Sequence, residues 1–481
     1  MKDYIDSIEQ LSHKQLVVLL ARQRLAAVQG IAVDGMALRL PGGVDSPRSL
    51  WSALRGARVV TGGPPRIPVD SRGRPRWNTD APDLAPYADL LGRGAYVDVI
   101  DVFDAKRFGL SEEEAGFVDP QQRLLVTCAA EALADAGIDE ADGLRTGVFA
   151  ALSSVEYQYA ALRNQMGRDE LSAYMGPGGA LSGAAGRIAT CLGLCGPSLT
   201  VDTACSSALT ALHLACASLR SGECDVALVG ACNLLLAPGA FGVQERAGLL
   251  SPSGRSRPFD AAADGYARSE GCGVVVLRRQ PDAVNPYAVV RGTAVYQHGA
   301  RDSISRVSAA GQAAVIRQAL RAAGCAPDEV GYVEAQANGV RLAGVIEAEV
   351  LGDVFARTAA EAPPLVIGSA KANLGYLETT SGMAGLMKAV LSVQHGEIPP
   401  QPDLGQLDPD VPWQRLGLRV PREITPWPDG NRRLAGVSAY GFTGTYGHAV
   451  VEAAATEAAP RPERAAAAAG DSHWHDTHHW S

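Results

Sequence analysis

Between Ser198 and Leu219 the spacing of apolar positions changes period. Ser198 to Val201 predicts a short buried strand. Apolar residues then fall at Ala208, Leu209, Leu212, Ala215, Ala217 and Leu219, which is helical spacing. The switch predicts a strand turning sharply into a helix over Ser206–Arg220, with Cys205 at the join. Similar switches occupy most of the chain. Ile31–Leu38, Gly147–Ala151, Val226–Val229 and Gly273–Leu277 read as strands, and Pro120–Ala136 as a helix. In a second set, Tyr287–Val295, Val330–Glu334, Leu365–Ser369, Ala435–Ala439 and Ala449–Glu452 read as strands. Helices are expected there at Gly311–Ala323, Ile346–Val354 and Gly382–Gln394. Strands separated by helix-length segments imply an α/β class, with parallel sheets covered by helices. Ahead of these sets, Ser12-His13-Lys14-Gln15 reads as a capping box opening a helix with Leu16, Val17, Leu19, Leu20 and Leu25 on its apolar face. Residues 1–28 are therefore expected to form a separate helical extension. After about Ala453 the pattern is lost, and 456–481 read as a disordered tail rich in Ala, then His and Trp. His475 and His479 there can share a helical face, but a solvated tail is the simpler reading.

Composition narrows the class. Among 481 residues, 47% are hydrophobic and 20% charged, enough for a large core, and a net charge of −9 argues against a nucleic-acid partner. The nine cysteines show no framework spacing and no CxxC pair, so reduced thiols and a cytoplasmic setting are expected. No run approaches 18 apolar residues, and Asp3, Asp6 and Glu9 interrupt the N-terminus, so neither a membrane span nor a signal peptide is expected. No metal or nucleotide motif is visible.

Cys205 is the candidate nucleophile. At the start of a helix, unpaired N–H groups and the helix dipole are expected to lower its pKa. Ala204, Ser206, Ser207 and Ala208 leave room for an acyl chain. The plain alternative is a buried cysteine opening a core helix. The flanking sequence favours the first reading. Gly186-Arg187-Ile188 and GPSLTVDTACSSAL resemble the nucleophile segment of the β-ketoacyl synthase family, in particular polyketide synthase ketosynthases. IAVDGMALRLPGGVDSPRSLW, DPQQRLL, AGLLSPSGRSRPFDAAADGYARSEGCGVVVL and AGVSAYGFTGTYGH match further segments in order, from about Ile31 to about Glu452. The resemblance implies a thiolase fold, with two pseudo-equivalent halves (31–285 and 286–455) in a five-layered αβαβα arrangement, and usually a homodimer. It also implies a phosphopantetheine thioester brought by an acyl or peptidyl carrier protein. The N-terminal helix would then dock an upstream synthase or synthetase.

The resemblance breaks where malonyl decarboxylation needs its two histidines. A segment similar to YVEAHGTGTRLGDPIEA reads YVEAQANGVRLAGVIEA, with Gln336 at the histidine position and Asn338 and Val340 at the threonines. A segment similar to KTNIGHTEAAAG reads KANLGYLETTSG, with Tyr376 at the other histidine. Gln336 cannot take a proton near neutral pH, whereas Tyr376 can donate a hydrogen bond or, with a shifted pKa, act as acid or base. Other positions agree with the family. Lys371 and Glu347 match a buried supporting ion pair, and Phe442 matches the gating phenylalanine whose N–H joins that of Cys205 in an oxyanion hole. Altered positions beside the site are His298 and Tyr296, and then Thr443, Tyr446 and Gly447 next to Phe442. Asn338, Thr443, Tyr446 and His298 are candidate substrate-binding residues. His213, His395 and His448 read as structural.

An acyl-cysteine without decarboxylation leaves three readings. The preferred one is a stand-alone cyclase, similar to ketosynthase-like bicyclising enzymes of salinosporamide-type γ-lactam-β-lactone assembly. It would take a β-ketoacyl–aminoacyl chain onto Cys205 and close it by intramolecular aldol and β-lactone formation. The alternatives are a non-elongating ketosynthase that passes acyl chains between carriers, and a non-catalytic docking partner.

Overall fold

The computed structural model describes residues 11–18, 29–64, 66–138, 144–164, 171–300, 302–356, 363–428 and 432–455. Of the N-terminal extension, residues 13–18 are helical. The expected capping box opens them: Ser12 N–H donates to Gln15 Oε1 at 2.8 Å, and Gln15 N–H to Ser12 Oγ at 3.3 Å. The rest of that extension and the tail, with His475 and His479, lie outside the described residues.

Thirteen strands are present among the described residues: β1 (Ile31–Arg39), β2 (Thr146–Ala151), β3 (Ser198–Val201), β4 (Val226–Asn233), β5 (Gly271–Arg279), β6 (Ala288–Gln297), β7 (Val330–Glu334), β8 (Leu365–Gly368), β9 (Glu397–Ile398), β10 (Leu418–Arg419), β11 (Thr425–Pro426), β12 (Leu434–Tyr440) and β13 (Thr445–Ala453). β9 and β11 form a small ribbon, and the others run in the order β10-β8-β7-β12-β13-β6-β1-β5-β4-β2-β3. That order contains a repeat the sequence hides. β3-β2-β4-β5-β1 and β8-β7-β12-β13-β6 carry the same succession of parallel, parallel, antiparallel and antiparallel pairs. The two five-stranded units meet where Ile31–Val33 of β1 pair with β6.

Alternation within the strands sets the layers, because side chains at i and i+2 share a face. Phe149, Ala151, Val229, Val275 and Leu277 join Val437, Ala449 and Val451 in one cluster around the helices α3 (Ser207–Ser221) and α6 (Ser381–His395). Their neighbours Val148, Ala150, Leu228, Val274 and Val276 face α1 (Pro120–Asp135) and α2 (Gly183–Cys191) on the other side. In the second unit Ala294, Val333 and Val450 face α4 (Ala309–Ala323) and α5 (Arg341–Val354). The result is helix, sheet, helix, sheet, helix: the five-layered thiolase fold. Burial on both faces explains why most strands are continuous apolar runs.

The strand before Cys205 departs from expectation. β3 lies at the end of the sheet with β2 as its one partner among the described residues, and Leu199 is 47% exposed. An apolar run cannot distinguish a covered strand from an edge strand. The nine cysteines are free, and Cys128, Cys216, Cys224, Cys232 and Cys272 are buried. No helix among the described residues is long and apolar enough to cross a membrane.

Candidate active site

Four chain segments converge on Cys205. Gln336 follows β7, Tyr376 follows β8 and Phe442 follows β12. These three strands are mutually parallel, so their carboxyl ends open at one edge of the sheet, where α/β folds place their sites. Cys205 arrives from the other unit. After β3 the chain passes through Ala204 at φ +55°, a left-handed conformation costly for a residue with a Cβ, and makes one 3₁₀ turn before α3. That turn is the sharp strand-to-helix join expected from the spacing.

The sulfur is surrounded by donors. The backbone N–H groups of Cys205 and Phe442 and the hydroxyl of Tyr376 lie near enough to favour its thiolate. These are the two N–H groups expected for an oxyanion hole, and Phe442 itself is 58% exposed. Burial nevertheless pushes the thiol up to about 11; the donors lower it and the Glu378 carboxylate raises it. This reverses the expected fall. The helix terminus does favour thiolate, but the site is buried and offers no histidine or cation in contact with the sulfur among the described residues, and desolvation of the anion wins.

Tyr376 is held with equal care. Its N–H donates to Ala267 O at 2.8 Å and its carbonyl accepts the Ser269 N–H at 2.9 Å. Gly375, at φ +76°, allows this approach, since a Cβ there would lie 2.9 Å from the Ser269 Cβ. The Tyr376 ring stands edge-on to Tyr266 at 4.8 Å, and its oxygen accepts from Gln336 Nε2 at 3.3 Å. Burial, with the Cys205 thiolate and Tyr266 adding to it, drives Tyr376 well above the ordinary tyrosine value. It is thus a hydrogen-bond donor, and the alternative role as a base near neutral pH falls away. The hydrogen-bonded pair of Gln336 and Tyr376 occupies the two positions at which the family resemblance expects histidine.

Lys371 and Glu347 do not form the expected direct ion pair. Lys371 Nζ donates to the Ala335 carbonyl at 3.2 Å, and the Glu347 carboxylate accepts the N–H groups of Gln336 at 2.8 Å and Ala337 at 2.7 Å. Backbone groups occupy both partners, so they act on each other only through their fields. Burial raises Glu347 to about 7, partly countered by those N–H groups and by Lys371. Glu347 thereby fixes the backbone of Gln336. The contacting pair is Lys388–Glu334 at 3.0 Å, with side chains 2% and 1% exposed.

The candidate substrate residues fare less well. Tyr446 points away from the central layer into the outer core with Val315 and Val450, and its hydroxyl accepts the Ser308 N–H at 3.1 Å. Alternation along β13 turns Gly447, not Tyr446, toward Leu209 of α3. Asn338 closes its own turn, its Oδ1 accepting Val340 N–H at 3.1 Å. His298 sits beside Gly311 at the start of α4, and no described contact brings it to Cys205. Thr443 stays next to Phe442, its carbonyl accepting from Gln297 Nε2 at 3.2 Å. The histidines read as structural lie in the framework: His213 pairs with Thr293, His395 stacks on Trp51, and His448 meets Ser438 with burial pushing it down to about 3.

Sequence reasoning missed Tyr266, Arg268 and Glu378. Glu378, at φ +49°, accepts from Arg268 Nε at 2.7 Å and Gln244 Nε2 at 3.1 Å, in a turn packed on the Cys205 turn. The adjacent charges in ARSEG, with a glutamate two residues past Tyr376, were the available signal.

The thiol sets a testable pH response. Iodoacetamide alkylation of Cys205, followed by peptide mass spectrometry, is expected to rise about tenfold per pH unit from 7 toward 10, because the thiolate is a minor form until about 11. Tyr376→Phe removes a donor to the thiolate. It should therefore slow alkylation at pH 8 and move the profile further alkaline.

Comparison with known proteins agrees with this geometry. The sequence profile of the β-ketoacyl synthase N-terminal domain matches residues 29–283, that of the C-terminal domain 287–404, and that of the ketoacyl-synthetase C-terminal extension 408–472. The mycocerosic acid synthase-like polyketide synthase of Mycolicibacterium smegmatis is 42% identical over 444 residues, covering 89% of this chain and 20% of that protein. Erythronolide synthase EryA3 of Saccharopolyspora erythraea is 42% identical over 443 residues, covering 91% of this chain and 13% of its own length. The chain thus spans a fifth or less of the length of these two relatives. Among solved structures, an oxazolomycin ketosynthase domain from Streptomyces albus superposes with a TM-score of 0.78 at 31% identity, over 88% of this chain and 75% of that one. The ketosynthase from module 6 of the bacillaene synthase of Bacillus subtilis gives 0.78 at 31%, over 89% and 72%.

Proposed function

Because this chain belongs to the β-ketoacyl synthase family, among the ketosynthases of polyketide synthases, we propose that it takes an acyl chain from a carrier-protein thioester onto Cys205 and does not decarboxylate malonyl units. The observation that carries this reading is the replacement of both histidine positions by a neutral pair, Gln336 and Tyr376, hydrogen-bonded to each other beside an intact nucleophile. Transfer onto sulfur needs the nucleophile and donors for the carbonyl oxygen; decarboxylation also needs groups that stabilise an enolate in the familiar way.

The acyl group we assign is a β-ketoacyl–aminoacyl chain carried on phosphopantetheine. Solvent hydroxide takes the proton between thioester and amide, the resulting enolate carbon attacks the chain's own ketone, and the Cys205 thiolate released at the end recovers a proton from water. The resulting alkoxide then attacks the thioester, closing a γ-lactam-β-lactone and freeing Cys205, as in the salinosporamide-type reading. A second fate, transfer back to another carrier, is favoured by the raised pKa of Tyr376, because a shuttle removes no carbon-bound proton and only exchanges the thiol proton between Cys205 and the carrier thiol. Cys205 retained among its donors argues against a purely non-catalytic partner. As in the family, we assign a homodimer.

A single-turnover reaction tests the reading. The protein is mixed with a linear β-ketoacyl–aminoacyl carrier thioester and no malonyl-carrier, while intact-protein mass and released small molecules are followed. An acyl-enzyme followed by a released cyclic product lacking the carrier thiol is expected. A persistent acyl-enzyme that only loads another carrier establishes the shuttle, and absence of acylation overturns both.

A further inference from the structure

We infer that Gln336 is a specificity residue whose free carboxamide oxygen selects acyl chains bearing an N–H or O–H donor on the atoms next to the thioester carbonyl. This rests on Cys205 as the acyl acceptor and adds a substrate class to that reading. Gln336 is 9% exposed, its N–H is taken by Glu347 at 2.8 Å, and its Nε2 donates to the Tyr376 hydroxyl at 3.3 Å. Its Oε1 has no hydrogen-bond partner among the described residues. A carboxamide oxygen offers two lone pairs, and a buried acceptor left without a donor is costly and rare in folded proteins.

The orientation of that amide follows from its neighbours. Nε2 is the atom that donates to the Tyr376 hydroxyl oxygen, so Oε1 is turned away from it. Oε1 therefore stays open. Tyr376 acts on the Cys205 thiol and Gln336 is one hydrogen bond from Tyr376, and from this we take the acceptor to face the first atoms of a chain attached to Cys205. A hydrocarbon chain would cover the oxygen without satisfying it. An amide N–H on the α-carbon or a hydroxyl on the β-carbon supplies the missing proton. Glu347 does not compete for that donor, since both of its oxygens already accept backbone N–H groups.

The test uses acyl pantetheine amides, in which nitrogen replaces the thioester sulfur, so that the chain binds without transferring. Two matched pairs are titrated into the full chain by calorimetry: N-acetylglycyl against N-acetylsarcosyl, and 3-hydroxybutanoyl against 3-methoxybutanoyl. The donor-bearing member is expected to bind about tenfold or more tightly in each pair. Gln336→Met should bring both ratios to about one, whereas Gln336→Glu, which keeps an acceptor, should preserve them. A loss of general packing would weaken both members of a pair and leave the ratio unchanged. Equal or undetectable binding of both members to the unaltered protein, or ratios that survive Gln336→Met, overturns the inference. Failure of the corresponding thioesters to add mass at Cys205 would instead overturn the functional reading, and the amide ratios would still be legible.

Discussion

Cys205→Ala is expected to abolish the acyl-enzyme: intact mass should not change with any carrier thioester, and chain release should fall on the order of 10⁴-fold or more, the scale on which loss of a nucleophile acts in acyl-transfer enzymes. The fold offers no substitute. Cys195 and Cys216 are the nearest thiols in sequence, but Cys195 lies in the loop before β3 and Cys216 is buried within α3. Tyr376→Phe should be far milder, about 10²- to 10³-fold, since it removes one donor and leaves the two backbone N–H groups in place. A Cys205→Ala protein that still releases product at an appreciable rate would mean that chemistry proceeds on the carrier thioester itself.

Lys388→Met should destabilise the fold by about 3–5 kcal/mol, the usual cost of removing one partner of a buried ion pair. Glu334 is 1% exposed; it accepts from Tyr332 at 2.6 Å, from the Ala370 N–H at 2.6 Å and from Lys388 at 3.0 Å. The remaining cation nearby, Lys371, is itself destabilised in its charged form by burial and committed to the Ala335 carbonyl. Without Lys388 the carboxylate is left buried with insufficient compensation. Urea denaturation should show the loss as a lower midpoint, and the double variant Lys388→Met, Glu334→Gln should recover much of it. A single variant as stable as the parent would show that the pair has no stabilising role.

The element positions were legible in the sequence because most strands are buried on both faces. Val330–Glu334 was expected with the ends it has, Pro120–Asp135 differs from expectation by one residue at one end, and Ser207–Ser221 by one residue at each end. A covered parallel strand is an unbroken apolar run, and such runs are hard to misplace. The membership of the site was legible only through resemblance: nothing in the spacing of Gln336, Tyr376 and Phe442 says that three parallel strands end together. Side-chain direction was the harder part. Tyr446 lies four residues past Phe442, yet the period of β13 turns it into the outer core. Charge was harder still. A helix start predicts a more acidic Cys205, and a lysine and glutamate at family positions predict an ion pair. Both outcomes are decided by which backbone groups and how much water reach each atom.

The exposed edge formed by β3 has a consequence for the chemistry. Four residues, Ser198 to Val201, have no strand partner along one side among the described residues, and the next positions lead through Asp202 and Thr203 into the strained Ala204 and the nucleophile. A chain that adds itself along this edge would therefore stiffen the stem on which Cys205 is mounted. Were a second copy to pair there, its dissociation would loosen the nucleophile without touching it.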